Sequence, residues 1–252
     1  MNNMYGMVKT KKIRRKMRLT KKKSSNHTSL SHFPLQKINN IISKEDGCEL
    51  KGLLVDFFEK EILPKIENCP RPIKKKYGDF LERSKGRFEI IPSSPLENKI
   101  LKLLFKNKKF AKINKEITEK IGENVIQELC ILPVEPNTKC GVWHRDIFIN
   151  SKKDFERNVY YITQIIYLDD KANTNFCINS QNNSNNNHKI YTRKIVEASP
   201  LSSVVFDGRT LHKGLENNTK ETRYAIYISY HESSYIDKES IQKNVLHKKE
   251  IC

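Results

Sequence analysis

Long apolar runs, paired cysteines and acids near the N-terminus are what this 252-residue sequence lacks. No stretch approaches the ~20 consecutive apolar residues that span a bilayer, so no membrane partner is expected. The cationic N-terminus has no apolar core of the kind a secretory signal needs, and the expectation is an intracellular protein, cytoplasmic or nuclear. The six cysteines (Cys48, Cys69, Cys130, Cys140, Cys177, Cys252) form no Cys-x-x-Cys pair. An intracellular chain of this length needs no disulfide framework, so free thiols are expected, and Cys140, four residues before His144, reads as a strand or turn thiol.

The missing acids locate the charge. Residues 1–44 hold twelve Lys or Arg and no Asp or Glu, whereas the remaining chain holds 35 basic and 29 acidic residues. The net charge of +18 is therefore concentrated in a tail, set at residues 1–42, and expected to be disordered. Its core is Lys9-Thr-Lys-Lys-Ile-Arg-Arg-Lys-Met-Arg-Leu-Thr-Lys-Lys-Lys23. Such a block suits nucleic-acid contact, a nuclear address or organelle import, and equally a passive basic extension. With 37% hydrophobic residues the chain is polar but has enough apolar material for one sizeable core, placed at 43–252.

Within that body two patterns alternate. Ser43 can cap a helix whose apolar positions Leu50, Leu53, Leu54, Phe57, Phe58 and Ile62 recur at helical spacing, with Pro64 as an interruption. Residues 96–121 read as helix again, striped by Ile100, Leu101, Leu103, Leu104, Phe110 and Ile113 and stopped at Gly122. Beyond 123 the chain reads as strands: Val125–Val134, Val142–Ile149, Val159–Leu168, Ile190–Val196, Ser203–Phe206 and Thr222–His231. The Asn-rich run 173–188 carries no strand signal and reads as a mobile loop. The expected architecture is α+β and mainly β, a helical segment at 43–122 and a barrel-like β core at 123–231.

The chemistry sits in the β half. His144 and Asp146 stand two apart in Gly141-Val-Trp-His-Arg-Asp-Ile-Phe148, so on a strand they share one face. His212 closes the stretch Phe206-Asp-Gly-Arg-Thr-Leu-His212. Two imidazoles and a carboxylate can hold a divalent iron on one side and leave the other open. Arg223 follows eleven residues later on a strand whose same-face neighbours are Ala225, Tyr227 and Ser229, and its guanidinium offers a fork for a carboxylate.

The stretches Trp143-His-Arg-Asp146, Tyr161-Ile-Thr-Gln-Ile-Ile-Tyr-Leu-Asp169 and Val205-Phe-Asp-Gly-Arg-Thr-Leu-His-Lys-Gly214, with Arg223-Tyr-Ala-Ile-Tyr227, resemble the Fe(II)- and 2-oxoglutarate-dependent dioxygenases. The distal stretch is most similar to the phytanoyl-CoA dioxygenase-like branch, and Thr163 to Asp169 has some prolyl-hydroxylase character. The resemblance covers roughly residues 125–231. It implies a double-stranded β-helix (jelly-roll, cupin-like) core with helices packed against it. It implies His144, Asp146 and His212 as iron ligands and Arg223 as the partner of the distal carboxylate of 2-oxoglutarate. Tyr167 is implied as a hydroxyl donor to that carboxylate, and Thr163 as a cavity-wall residue. Fe(II), 2-oxoglutarate and dioxygen would together hydroxylate or demethylate a small-molecule, protein or nucleic-acid substrate, releasing succinate and CO2. The alternative is a non-catalytic barrel docked on nucleic acid through residues 9–23. The Gly-rich and Pro-Gly-Ser-His-like elements of the phytanoyl branch are missing where the Asn-rich loop stands, and Ala225 occupies a position where some relatives have serine. Coenzyme A ester specificity is therefore not implied.

Overall fold

The computed structural model describes residues 33–69, 71–72, 80–122, 125–147 and 161–232, and the backbone of 76–77 and 245–246. The basic block at 9–23, and with it the expected nucleic-acid contact, lies outside the described residues. Residues 32–252 fall within one compact unit.

The expected tail is too long at its end. Strand β1 (Gln36–Ile38) pairs antiparallel with Ser203–Val205, and Ile38, Ile41 and Ile42 are buried. Three isoleucines within five positions anchor this segment to the body, a signal that the Ser, Asn and Lys around them obscure.

Helix α1 (Lys44–Phe57) is capped by Ser43, whose hydroxyl oxygen accepts from the Asp46 N–H at 3.1 Å. Pro64 does not end the helical path. The chain widens into a π-turn at Phe58–Ile62, with the Leu63 N–H reaching the Phe58 carbonyl, and continues as α2 (Leu63–Ile66). The wider turn relieves the clash that a proline ring makes with the preceding turn of an α-helix. The expected helix at 96–121 is two, α3 (Ser94–Lys106) and α4 (Lys108–Ile121), broken at Asn107. The Asn107 side chain accepts from the Ser43 N–H at 2.7 Å and donates to Asp46 Oδ2 and the Leu103 carbonyl, both at 2.9 Å. Asp46, buried at the same junction, also accepts from Lys106 at 2.6 Å, and these bonds hold its carboxyl below the usual range.

The strands are β2 (Lys76–Tyr77), β3 (Phe80–Ser84), β4 (Arg87–Ile90), β5 (Val125–Val134), β6 (Tyr161–Tyr167), β7 (Thr174–Cys177), β8 (Arg193–Val196), β9 (Ser202–Asp207), β10 (His212–Gly214), β11 (Arg223–Glu232) and β12 (Val245–Leu246). They form a nine-stranded sheet in the order β1-β9-β6-β11-β5-β4-β3-β2-β12 and a three-stranded sheet, β10-β7-β8. Strand alternation divides the core. Ile162, Ile166, Tyr224, Ile226, Ile228 and Tyr230 face the helices, packing with Leu54, Phe58, Ile100 and Leu104. Ile165, Tyr167, Val204, Phe206 and Ala225 face the small sheet, packing with Phe176 and Val196. The result is a mainly β, jelly-roll core with helices on one side.

Five further sequence expectations change. β3 and β4 lie inside the segment taken as helical, because their short alternation of charged and apolar residues is swamped by the helices around them. Val142–Ile149 forms no strand among the described residues; only His144 pairs, in a single bridge to His212. The Asn-rich run contains buried β7, and β8 starts later than expected because His188–Ile190 is a 3-10 turn. Cys48, Cys140 and Cys177 are free thiols, whereas Cys69 is disulfide-bonded. Among the described residues no helix is long and apolar enough to cross a membrane.

Candidate metal centre

Reciprocal backbone bonds join the two histidine segments. The His144 N–H donates to the His212 carbonyl and the His212 N–H to the His144 carbonyl, both at 2.9 Å. The pairing stops there because the Asp146 N–H turns to the Gly208 carbonyl, also at 2.9 Å. This bridge and turn, rather than a strand, put His144, Asp146 and His212 together, with one ligand atom from each lying within 4.8 Å of the others.

Both imidazoles are oriented in the same way. Nδ1 of His144 lies 3.0 Å from the Val142 carbonyl and Nδ1 of His212 lies 2.9 Å from the Thr210 carbonyl. A carbonyl accepts only, so each Nδ1 carries a proton and Nε2 is the nitrogen turned toward the centre. The two Nε2 atoms point at one oxygen, Asp146 Oδ1, at 3.7 and 3.5 Å. His212 is packed between the rings of Phe176 and Phe206. Burial pushes its pKa down to about 4, which keeps it neutral and able to ligate. His144 has a half-exposed side chain, so the centre opens on that side.

Thr163, expected in a cosubstrate cavity, instead donates its hydroxyl to Asp146 Oδ2 at 2.5 Å. That bond occupies one carboxylate oxygen and leaves Oδ1 to the histidines. Replacing Thr163 by Val keeps the side-chain shape on β6 but removes the donor. The variant should bind a divalent metal about 10- to 100-fold more weakly, the usual cost of losing an outer partner of a ligand. Titration of the metal into both proteins measures this; equal affinities would show that the hydroxyl does not orient Asp146.

Tyr167 and Arg223 lie on the same inner face, with Tyr167 opposite Ala225 in the β6–β11 register. The Tyr167 hydroxyl pairs with Thr174 Oγ1 at 2.8 Å, and burial raises its pKa. Arg223 is only 6% exposed. Its guanidinium donates to the carbonyls of Lys171, Leu215 (3.3 Å) and Glu216 (2.9 Å), while its buried Nε has no partner. It makes no ion pair among the described residues, and desolvation pushes its pKa down. A buried cation hydrogen-bonded to backbone oxygens, with Asp169 and Glu216 as the nearby acids, has fork positions that suit an incoming carboxylate. The donor set at the histidines likewise suits a divalent iron: two imidazole Nε2 atoms and one carboxylate oxygen on a single side.

The sequence reading missed the role of Arg145, the middle residue of the His-Arg-Asp triplet. Its guanidinium donates to the carbonyls of Ser180 (2.9 Å), Asn183 (2.9 Å), Asn185 (3.0 Å) and Arg209 and to Asn186 Oδ1 (2.9 Å). The loop also braces itself: the side-chain oxygens of Asn183, Asn185 and Asn187 accept from the N–H two residues on, at 2.9, 2.8 and 3.1 Å. This i, i+2 spacing of asparagines is a signature of Asx turns, and it was available in the sequence. The loop ends at His188, which stacks on Trp143 at 5.1 Å beside the centre. The run read as mobile is a fixed wall. Arg145→Ala should speed amide hydrogen exchange across 180–190 by tenfold or more, since one hydrogen bond to a charged group is worth about 1.5 kcal/mol. Unchanged exchange would leave the Asx turns as the sole brace.

No family model matches the chain, and no curated protein matches it by sequence. Solved structures do. AviO1 from Streptomyces viridochromogenes aligns with a TM-score of 0.56 at 15% identity, over 81% of this chain and 92% of that one. SnoN, a non-heme α-ketoglutarate-dependent epimerase from nogalamycin biosynthesis, aligns at 0.53 and 12% identity over 79% and 77%. A prolyl hydroxylase from Trichoplax adhaerens, in complex with a hypoxia inducible factor peptide, aligns at 0.52 and 14% identity over 79% and 86%. The shared feature is the fold. The jelly-roll core expected from the sequence is the one these proteins have. SnoN has also been solved with Fe3+, α-ketoglutarate and nogalamycin RO bound, and EvdO2 from Micromonospora carbonacea with 2-oxoglutarate.

Proposed function

We propose that this chain is an Fe(II)- and 2-oxoglutarate-dependent oxygenase that hydroxylates or demethylates an organic substrate. The observation that carries the reading is the convergence of both histidine Nε2 atoms on Asp146 Oδ1, with each Nδ1 held by a carbonyl. The ligands are oriented before any metal arrives. His144, Asp146 and His212 would hold the iron, and Arg223 the far carboxylate of 2-oxoglutarate. Iron with 2-oxoglutarate and dioxygen supplies the oxidising power to take hydrogen from a substrate C–H bond, with succinate and CO2 as co-products.

The protein's own part is orientation and water exclusion. Thr163 fixes the Asp146 carboxylate, Phe176 and Phe206 keep His212 dry, and Arg223 aims its fork from a buried position. The half-exposed side of His144, with the Trp143–His188 stack nearby, is where the substrate would approach. Among the solved neighbours, SnoN is seen with nogalamycin RO and the prolyl hydroxylase with a peptide. The closer likeness to the phytanoyl-CoA branch rests on the stretch around His212 alone.

The test is anaerobic addition of Fe(II) and then 2-oxoglutarate to the full chain, followed by air. Binding of both and a slow release of succinate, lost in His144→Ala, is the expected result. A chain that takes up no divalent metal under these conditions is not this enzyme.

A further inference from the structure

Arg87 lies on β4, a strand outside the metal-bearing stretches, yet its side chain reaches both of them. Nε donates to the Lys139 carbonyl at 2.9 Å and Nη2 donates to the Leu215 carbonyl. Gly214 makes the passage, since a Cβ there would stand 2.9 Å from Nη1, whereas one on Gly141 would meet Cδ and Nε in ordinary contact at 3.8 Å. The same two glycines are joined by a 2.9 Å bond from the Gly141 N–H to the Gly214 carbonyl. Gly141 is three residues before His144 and Gly214 two after His212.

The Leu215 carbonyl also accepts from Arg223 Nη2 at 3.3 Å. Two guanidinium groups thus meet on one oxygen. Neither forms an ion pair among the described residues, and Arg223 Nε is buried without a partner. Burial and the neighbouring Arg223 charge together push the Arg87 pKa down to about 10. A pair of like charges held this close, in a partly dry place, is relieved by an anion between them.

We propose that Arg87 is a second arginine of the dicarboxylate site, so that the far carboxylate of the cosubstrate is shared by Arg87 and Arg223. The inference rests on the oxygenase reading and deepens it. Arg223 alone would balance one negative charge; two guanidinium groups make the site selective for an oxoacid that carries a carboxylate at its far end. Arg87 reaches the site through the pairing of β4 with β5, which brings Arg87 opposite Val134 and thereby one strand from Arg223, itself paired with Val134 on the other side.

Calorimetric binding to the full, Mn(II)-loaded chain tests this without turnover, using 2-oxoglutarate and 2-oxobutyrate, which lacks the far carboxylate. Arg87→Leu should weaken 2-oxoglutarate at least tenfold and leave 2-oxobutyrate and Mn(II) affinities unchanged. Gly214→Ala, which leaves Arg87 in the chain but displaces its guanidinium, should weaken 2-oxoglutarate several-fold in the same selective way, and it serves if Arg87→Leu does not fold. Equal losses for both acids, or no loss while Arg223→Leu abolishes binding, would make Arg87 a structural tie and leave the oxygenase reading standing. A wild-type chain that binds Mn(II) but no 2-oxoglutarate would overturn both.

Discussion

Asp146→Ala should abolish divalent-metal binding while leaving the metal-free protein as stable as before, or more so. The two effects have opposite signs because the carboxylate does two jobs. In the metal-loaded chain it is the only anionic ligand, and its Oδ1 is the atom on which both imidazoles converge. Without it, two neutral nitrogens face the ion and no charge compensates it. In the metal-free chain the same carboxylate is nearly buried against a neutral His212, supported chiefly by Thr163. Removing a buried charge of that kind costs little and can stabilise. Thermal unfolding with and without Mn(II) separates the terms. Wild type should gain about 2.7 kcal/mol when free metal is 100 times Kd, and Asp146→Ala should gain nothing. A variant that keeps the metal-induced gain would show that the ion is held elsewhere.

Arg223→Leu should weaken 2-oxoglutarate binding by about 2–5 kcal/mol, the range for truncating one side of a buried, hydrogen-bonded charge pair. Every 1.4 kcal/mol is about a factor of ten, so the loss runs from roughly thirty-fold to several thousand-fold. Metal affinity should not move, because Arg223 contacts none of the three ligands. The substitution also strips donors from the carbonyls of Lys171, Leu215 and Glu216, so a lower folding stability is expected alongside. Arg223→Lys distinguishes the two consequences: it restores charge without the planar fork and should recover part of the binding. Oxoacid binding unaffected by Arg223→Leu would remove that residue from its assigned place.

Much of the centre was legible because it depends on local spacing. A two-residue step presents His144 and Asp146 to the same side whether the segment is a strand, as expected, or a bridge followed by a turn, as found. β6 and β11 were legible for a different reason: six of the seven β6 residues are Ile, Tyr or Thr, and β11 carries Tyr and Ile at five of its ten positions, which favours strand over helix. What stayed hidden depends on partners distant in sequence. Thr163 and Asp146 are seventeen residues apart and meet only because β6 lies beneath the turn. Arg87 acquires its neighbours through two successive strand pairings, and β4 is too short, at four residues, to announce itself. β7 was missed because Asn175 and the asparagines after it lower its strand propensity, while burial of Phe176 and Cys177 overrides that preference.

The grip of Arg145 on the asparagine-rich loop is mainly a grip on backbone oxygens: the carbonyls of Ser180, Asn183 and Asn185, beside the Asn186 side-chain amide. Carbonyls are supplied by any residue. The wall beside the candidate centre can therefore exchange most of its side chains without losing its anchor, and the anchor itself is fastened between His144 and Asp146, the two residues that on the oxygenase reading would be ligands. On that reading, substrate preference and metal chemistry would rest on separate sets of atoms. The loop's side chains could then change without loss of its shape, because Arg145 holds carbonyls that any residue supplies.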